Sequence, residues 1–175
     1  MDEDDDLPEF AKIIDAMNEE LFDERKKHES EIKTLETKIS NLTKKYEPDI
    51  NTNRLIHKCF RNVNHNNIAK VIHSLNKGNF KCISLKKREW LYKKDNIFIP
   101  MENEIFVKRM IDDSLIVFLN EIRKIEAILE NEPEHLMYDF YAFSYDNCIQ
   151  VIKSLDSPRT KSFIIRELRE LFYES

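Results

Sequence analysis

Residues 54–100 read RLIHKCFRNVNHNNIAKVIHSLNKGNFKCISLKKREWLYKKDNIFIP, and this stretch decides the fold. Leu55, Ile56, Cys59, Phe60 and Val63 recur at helical spacing. Ile68, Ala69, Val71, Ile72 and Leu75 do so again, after asparagines of which Asn66 or Asn67 is expected to cap the second helix. Lys77-Gly78 ends that helix, because glycine enters the left-handed position after a helix without steric cost. The pattern then becomes extended. Phe80–Leu85 (FKCISL) reads as a strand, Lys86-Lys87-Arg88 as a polar turn and Trp90-Leu91-Tyr92 as a second strand. Lys94-Asp95-Asn96 makes another turn, and Ile97-Phe98-Ile99 is a third strand closed by Pro100. Two helices followed by a twisted hairpin is the layout of a winged-helix-like module.

Outward from this stretch the chain reads as helix. A long one is expected from about Asn103 to Glu130, broken at Glu132-Pro133, with helices over roughly 134–143 and 145–155. The last opens with Ser157 as N-cap and Pro158 in its first position. The fold class is mainly α with a small β element.

Upstream, Met1–Asp6 is an acidic run with nothing to bury, expected to be a disordered tail. Residues 7–47 are helical in pattern. Ile14, Leu21, His28, Leu35 and Leu42 form one seven-residue series, and Asn18, Arg25, Ile32, Ile39 and Tyr46 form a second, offset by four. The seam is clean from Ile32 to Tyr46 and interrupted before it by Asn18, Arg25 and His28. Two readings stand: a solvated amphipathic helix packed on the rest of the chain, or a short coiled coil. In the second, Ile14, Leu21, Ile32, Leu35, Ile39, Leu42 and Tyr46 meet a second copy or a partner helix. Proline disfavours helical geometry in the residue before it, so Glu47-Pro48-Asp49 stops the helix. Residues 48–53 then read as a linker and 54–175 as the helical domain with the basic hairpin.

Charge is segregated along the chain. The net charge is −5 over 175 residues. Residues 1–47 hold 15 acidic and 8 basic side chains, and residues 95–175 hold 16 and 9. Residues 54–94 hold 11 basic side chains against Glu89 alone. Cations replace phosphate counterions and aromatic faces stack on unpaired bases, so this segment is a candidate nucleic-acid surface. Its phosphate contacts would be Lys70, Lys81, Lys86, Lys87, Arg88, Lys93 and Lys94, with Trp90 and Tyr92 as stacking residues. Two competing readings remain: the basic patch meets an acidic protein partner, or the aromatics are core and the lysines a solvated outer face.

Several classes are disfavoured. One glycine, Gly78, leaves no dinucleotide fingerprint, P-loop or nucleophile elbow, each of which needs two or more. Cys59, Cys82 and Cys148 are odd in number and widely spaced, as in a reducing compartment. No cysteine or histidine pair has metal-ligand spacing, no catalytic constellation stands out, and no run approaches the ~20 apolar residues of a membrane span. The chain is expected to be intracellular, cytoplasmic or nuclear, and not an enzyme; it is expected to need no metal or cofactor.

One likeness goes beyond composition. Asn67-Ile68-Ala69-Lys70-Val71-Ile72, then Phe80–Lys87, then Trp90-Leu91-Tyr92, resembles a segment of the primase–helicase proteins of large nucleo-cytoplasmic DNA viruses, the poxvirus-like group. Residues 149–173 (IQVIKSLDSPRTKSFIIRELRELFY) look like the helical close of that region, so the likeness spans about residues 62–173. Two departures matter: Phe98 stands where the family has a second tryptophan, and the primase domain and P-loop ATPase are both missing. The resemblance implies a connecting or collar domain detached from its enzyme, concerned with assembly and DNA contact in DNA replication. If the chain is viral, its place would be the replication site in the host cytoplasm. The function expected is a non-catalytic replication accessory module, with a scaffold or virion interaction protein as the alternative.

Overall fold

The structure is a computed structural model that describes residues 7–131 and 137–173, with side chains from residue 20 onward within them. Among the described residues there are six helices and three strands. In order they are α1 (Leu7–Lys45), α2 (Ile50–Arg61), α3 (His65–Asn76), β1 (Phe80–Ser84), β2 (Glu89–Lys94), β3 (Ile97–Pro100), α4 (Ile105–Asn131), α5 (Tyr138–Asp156) and α6 (Pro158–Tyr173). The fold is mainly α with a small antiparallel sheet.

The chain divides into two compact units after Asn41. In the first, Leu21, Ile32, Leu35 and Ile39 are all exposed on α1. The side chain of Ile14 and the acidic run at 1–6 lie outside the described residues. In the second unit the helix is already part of the fold. Tyr46, just past α1, is 4% exposed, Leu42 packs against the core, and Lys45 approaches Asp113 at 3.7 Å. Leu42 and Tyr46, read as the end of a coiled-coil seam, are therefore domain core. A heptad stripe says which residues share a helix face; it does not say whether that face meets another chain or the helix's own domain.

Residues 50–53, expected in a linker, are the first turn of α2. Pro48 ends α1 only to let Asp49 begin the next helix: its carboxylate accepts the Thr52 N–H at 2.7 Å, which holds the Asp49 carboxyl below its ordinary value. The Thr52 hydroxyl, buried, meets the Ser74 hydroxyl at 2.7 Å and ties α2 to α3. The cap of α3 is Asn64, whose side chain accepts the Asn67 N–H at 2.9 Å, so Asn66 and Asn67 fall inside the first turn. Gly78 takes φ of 80°, as a residue just beyond a helix end requires.

The sheet has the order β1-β2-β3, a three-stranded antiparallel meander, with β3 where the third strand was expected. Asp95 and Asn96 both have positive φ, which gives the two-residue turn between β2 and β3 the twist its strands need. A bulge between Cys82 and Ser84 shifts the β1–β2 register, so that Cys82 pairs with Trp90 and Ser84 with Glu89.

Three helices build the rest of the core. On α4, Val107, Met110, Ile111, Ser114, Val117, Phe118, Ile122 and Ile125 form one buried stripe. Helix α5 runs antiparallel to it: the Cys148 thiol donates to the Phe118 carbonyl at 3.3 Å and the Tyr145 hydroxyl to Glu126 at 3.1 Å. One continuous helix runs through the expected break near residue 144, since nothing at Ser144 or Tyr145 interrupts the backbone ladder. The break expected at Glu132-Pro133 and the helix start at 134–136 lie outside the described residues. Ser157 caps α6 as expected, accepting the Thr160 N–H at 3.4 Å. Ile164, Ile165, Leu168 and Phe172 of α6 then seal the core between α3 and the sheet.

Cys59 on α2, Cys82 on β1 and Cys148 on α5 are free and buried. Burial pushes the first and last thiols up to about 12, and raises that of Cys82.

His73 on α3 meets the Phe172 ring edge-on at 4.6 Å, and its Nε2 is buried without a hydrogen-bond partner among the described residues. Burial, and secondarily Lys77, holds it below the ordinary imidazole value of 6.5. The unfolded chain therefore takes up a proton that the folded one resists. Stability is full above 6.5 and falls as the pH drops from there toward the folded-state value. The expected result is a lower denaturation midpoint at about pH 5.5 than at about pH 7.5, with a smaller difference in His73→Gln. Equal pH dependence in the two proteins would show that His73 does not carry the effect.

Candidate nucleic-acid interface

Strand parity sorts the hairpin into two faces. Phe80, Cys82, Trp90, Tyr92 and Ile99 share the inner one, since Phe80 pairs with Tyr92, Cys82 with Trp90, and Tyr92 with Ile99. Trp90 is 2% exposed, sits 5.7 Å from the Phe172 ring in a T-shaped contact, and has no partner for its indole N–H among the described residues. It is core and is not available to stack on a base. Tyr92 is half-buried and stacks instead on Phe106 of α4, rings 5.0 Å apart and within 10° of parallel. The two residues read as stacking platforms thus anchor the sheet to α6 and α4. Composition marks them as aromatic among cations, but only the register shows that their rings point inward.

The outer face is different. Lys81 pairs with Leu91, Leu91 with Pro100, and Lys93 with Phe98, which places all five on one side of the sheet. Lys81 and Lys93 are exposed, and the Lys81 ammonium lies 5.2 Å from the centroid of the Phe98 ring. Phe98 is the aromatic that sequence reasoning did not assign to the surface. Its position follows from β2–β3 pairing, which cannot be read before the strands are aligned.

At the β1–β2 end, Lys86, Lys87 and Arg88 are exposed in the turn. Lys87 is 4.0 Å from Glu89, and the exposed pair contributes little. Arg88 has φ of 59°, a left-handed conformation that turns the chain into β2. Lys94 is exposed at the far end of β2, on the parity of Trp90, and Lys70 is half-buried on α3 rather than on the sheet. The structure therefore gathers Lys81, Lys86, Lys87, Arg88 and Lys93 along the outer face and its turn, while Lys70 belongs to another element.

Beyond the turn, Arg88 also lines a cleft of about 330 Å³ with Glu104, Lys108 and the α6 residues Ser162, Phe163, Ile165, Arg166 and Arg169. Arg169 Nε lies 3.5 Å from Glu104 Oε1. Both atoms are buried and neither has a hydrogen bond among the described residues, so they attract by charge alone. Three of these cations come from the segment whose net charge is negative, and charge counting along the chain passes over them.

No family model, curated protein or solved structure matches this chain. Among the described residues, no group of three or more His, Cys, Asp or Glu is placed to hold a metal ion. No helix among them is long and apolar enough to cross a membrane.

Proposed function

We propose that this protein is a non-catalytic nucleic-acid-binding module that serves DNA replication. It binds a strand along the outer face of its sheet and associates with a second copy through the exposed stripe of α1. The observation that carries the reading is the outer face itself: Lys81 and Lys93 flank Phe98 and Leu91, and Lys86, Lys87 and Arg88 continue the row of cations at the turn. Cations spaced along a groove or strand edge follow a phosphate backbone, and an aromatic ring among them offers a face to a base. The link to replication rests on the resemblance of about residues 62–173 to the connecting domain of viral primase–helicases, read from the sequence alone. A scaffold or virion role draws on the same exposed stripe, Leu21, Ile32, Leu35 and Ile39 on one helix, without the basic face meeting nucleic acid.

The test is fluorescence anisotropy of the full chain with labelled single-stranded and duplex DNA at two salt concentrations. Binding with a steep salt slope is expected. Changing Lys86, Lys87 and Arg88 together to alanine should weaken binding roughly tenfold or more, and flatten the slope on single strands by about 2, at ~0.7 per phosphate contact. Unchanged affinity and slope, or no binding at low salt, would refute the reading and hand the basic face to an acidic protein partner.

A further inference from the structure

The cleft behind the β1–β2 turn is built differently from the outer face. It is walled by three elements distant in sequence: the turn at Arg88, the start of α4 with Glu104 and Lys108, and α6 with Arg166 and Arg169. Four cations converge on about 330 Å³ with one carboxylate among them. Arg88 and Lys108 have no carboxylate within ion-pair distance among the described residues. Arg166 is shared, at 3.4 Å, with Glu167. Arg166 meets Glu167 Oε1, while Glu167 Oε2 accepts the Asn66 side-chain N–H at 2.9 Å. The single internal carboxylate, Glu104, is held by Arg169 without a hydrogen bond. Like charges collected in a concave, partly water-excluded site repel one another, and the field they focus attracts a multivalent anion.

Shape favours one kind of anion. Three of the four cations are guanidinium groups, whose planar donor forks match the oxygens of a phosphate. Phe163 lines the same cleft, and His65 stacks on it at 5.1 Å, 12° from parallel. That stack fixes an apolar wall beside the cations. The Ser162 hydroxyl, also at the cleft, already donates to the Pro158 carbonyl at 3.0 Å and keeps its acceptor side outward.

The geometry points to a phosphate-binding site formed by Arg88, Lys108, Arg166 and Arg169. Its ligand is a phosphate group with two or more negative charges, carried by the end of a nucleic-acid strand or by a free polyphosphate. The site shares Arg88 with the outer-face row but uses neither Lys86, Lys87 nor the sheet surface. Its test by tripolyphosphate, with Lys108 and Arg166 as the changed residues, stands if the chain fails to bind DNA.

The probe is tripolyphosphate titrated into the full chain by calorimetry, with Lys108→Ala/Arg166→Ala as the variant. Both side chains are on exposed helix positions, and circular dichroism checks that the fold is kept. Binding should weaken by at least about tenfold in this variant and stay within about twofold in Lys86→Ala/Lys87→Ala. No binding at millimolar tripolyphosphate would overturn the site. So would equal loss in the two variants, which would show only diffuse attraction to basic surface. Oligonucleotides with and without a 5′-phosphate then assign the source. Tighter binding of the phosphorylated strand, lost in Lys108→Ala/Arg166→Ala, marks a strand end; equal binding of the two strands beside intact tripolyphosphate binding marks a free polyphosphate.

Discussion

Phe172→Ala is expected to lower the stability of the folded domain by about 3–5 kcal/mol, the usual cost of deleting a fully buried aromatic side chain. The ring is 1% exposed and lies where three elements meet. His73 of α3 contacts it at 4.6 Å, Trp90 of β2 at 5.7 Å and Phe80 of β1 at 6.1 Å. Each of these contacts joins a different segment to α6, so a truncated side chain cannot be replaced by the shift of one neighbour. The remaining void would lie between the sheet and the helices, beside the buried Trp90. Urea denaturation checks the magnitude. The single tryptophan, Trp90, checks the place, since its emission should shift to the red in the native state of the variant. A loss below about 1 kcal/mol with unshifted emission would mean that the sheet is held elsewhere.

On the proposed pairing of α1 with a second copy, Leu35→Glu together with Ile39→Glu should leave only monomer. The two positions are one turn apart on α1, and their side chains are 59% and 38% exposed. In the free chain their replacement removes little buried surface, so the unfolding free energy should change by no more than about 0.5 kcal/mol. In an a/d seam the same change places carboxylates against apolar knobs, where an unpaired charge is strongly disfavoured. The clean split between assembly and stability is what distinguishes a seam from a core stripe. Sedimentation of parent and variant gives the answer. A parent that is already monomeric, or a variant of unchanged mass, would remove the proposed role of α1. Leu42 is unsuited to the experiment, because it packs against the domain core and would report on folding instead.

The readability of this chain in its sequence follows the range of the interaction concerned. Helix caps and turns act over three or four residues, and Ser157-Pro158, Gly78 and Asp95-Asn96 were each legible for that reason. Where two local signals competed, the sequence misled. Pro48-Asp49 looked like the start of a linker because proline ends a helix; that Asp49 at once caps another is visible only when Thr52 is seen buried against Ser74. Asn66 or Asn67 was the expected cap of α3, but Asn64 takes that place, its side chain accepting the Asn67 N–H. The candidate site was legible as a composition and not as a surface. Lysines and arginines in the turn are exposed whatever the register, but Trp90 and Phe98 exchange roles with a shift of one residue in pairing. The cleft depends on contacts between residues 88, 104–108 and 162–169, and no pattern within any one of these segments announces it.

The three buried cysteines have a kinetic consequence. A thiol so far from its thiolate form, enclosed by packed side chains, reacts with an alkylating reagent only during moments when its surroundings part. Cys59 sits in a helix against α5, Cys148 at the centre of the α4–α5 pair, and Cys82 in the bulged strand β1. Each therefore times a different event. Their three labelling half-lives rank the opening of the sheet against the parting of the helices. The molecule carries its own record of which part of it lets go first.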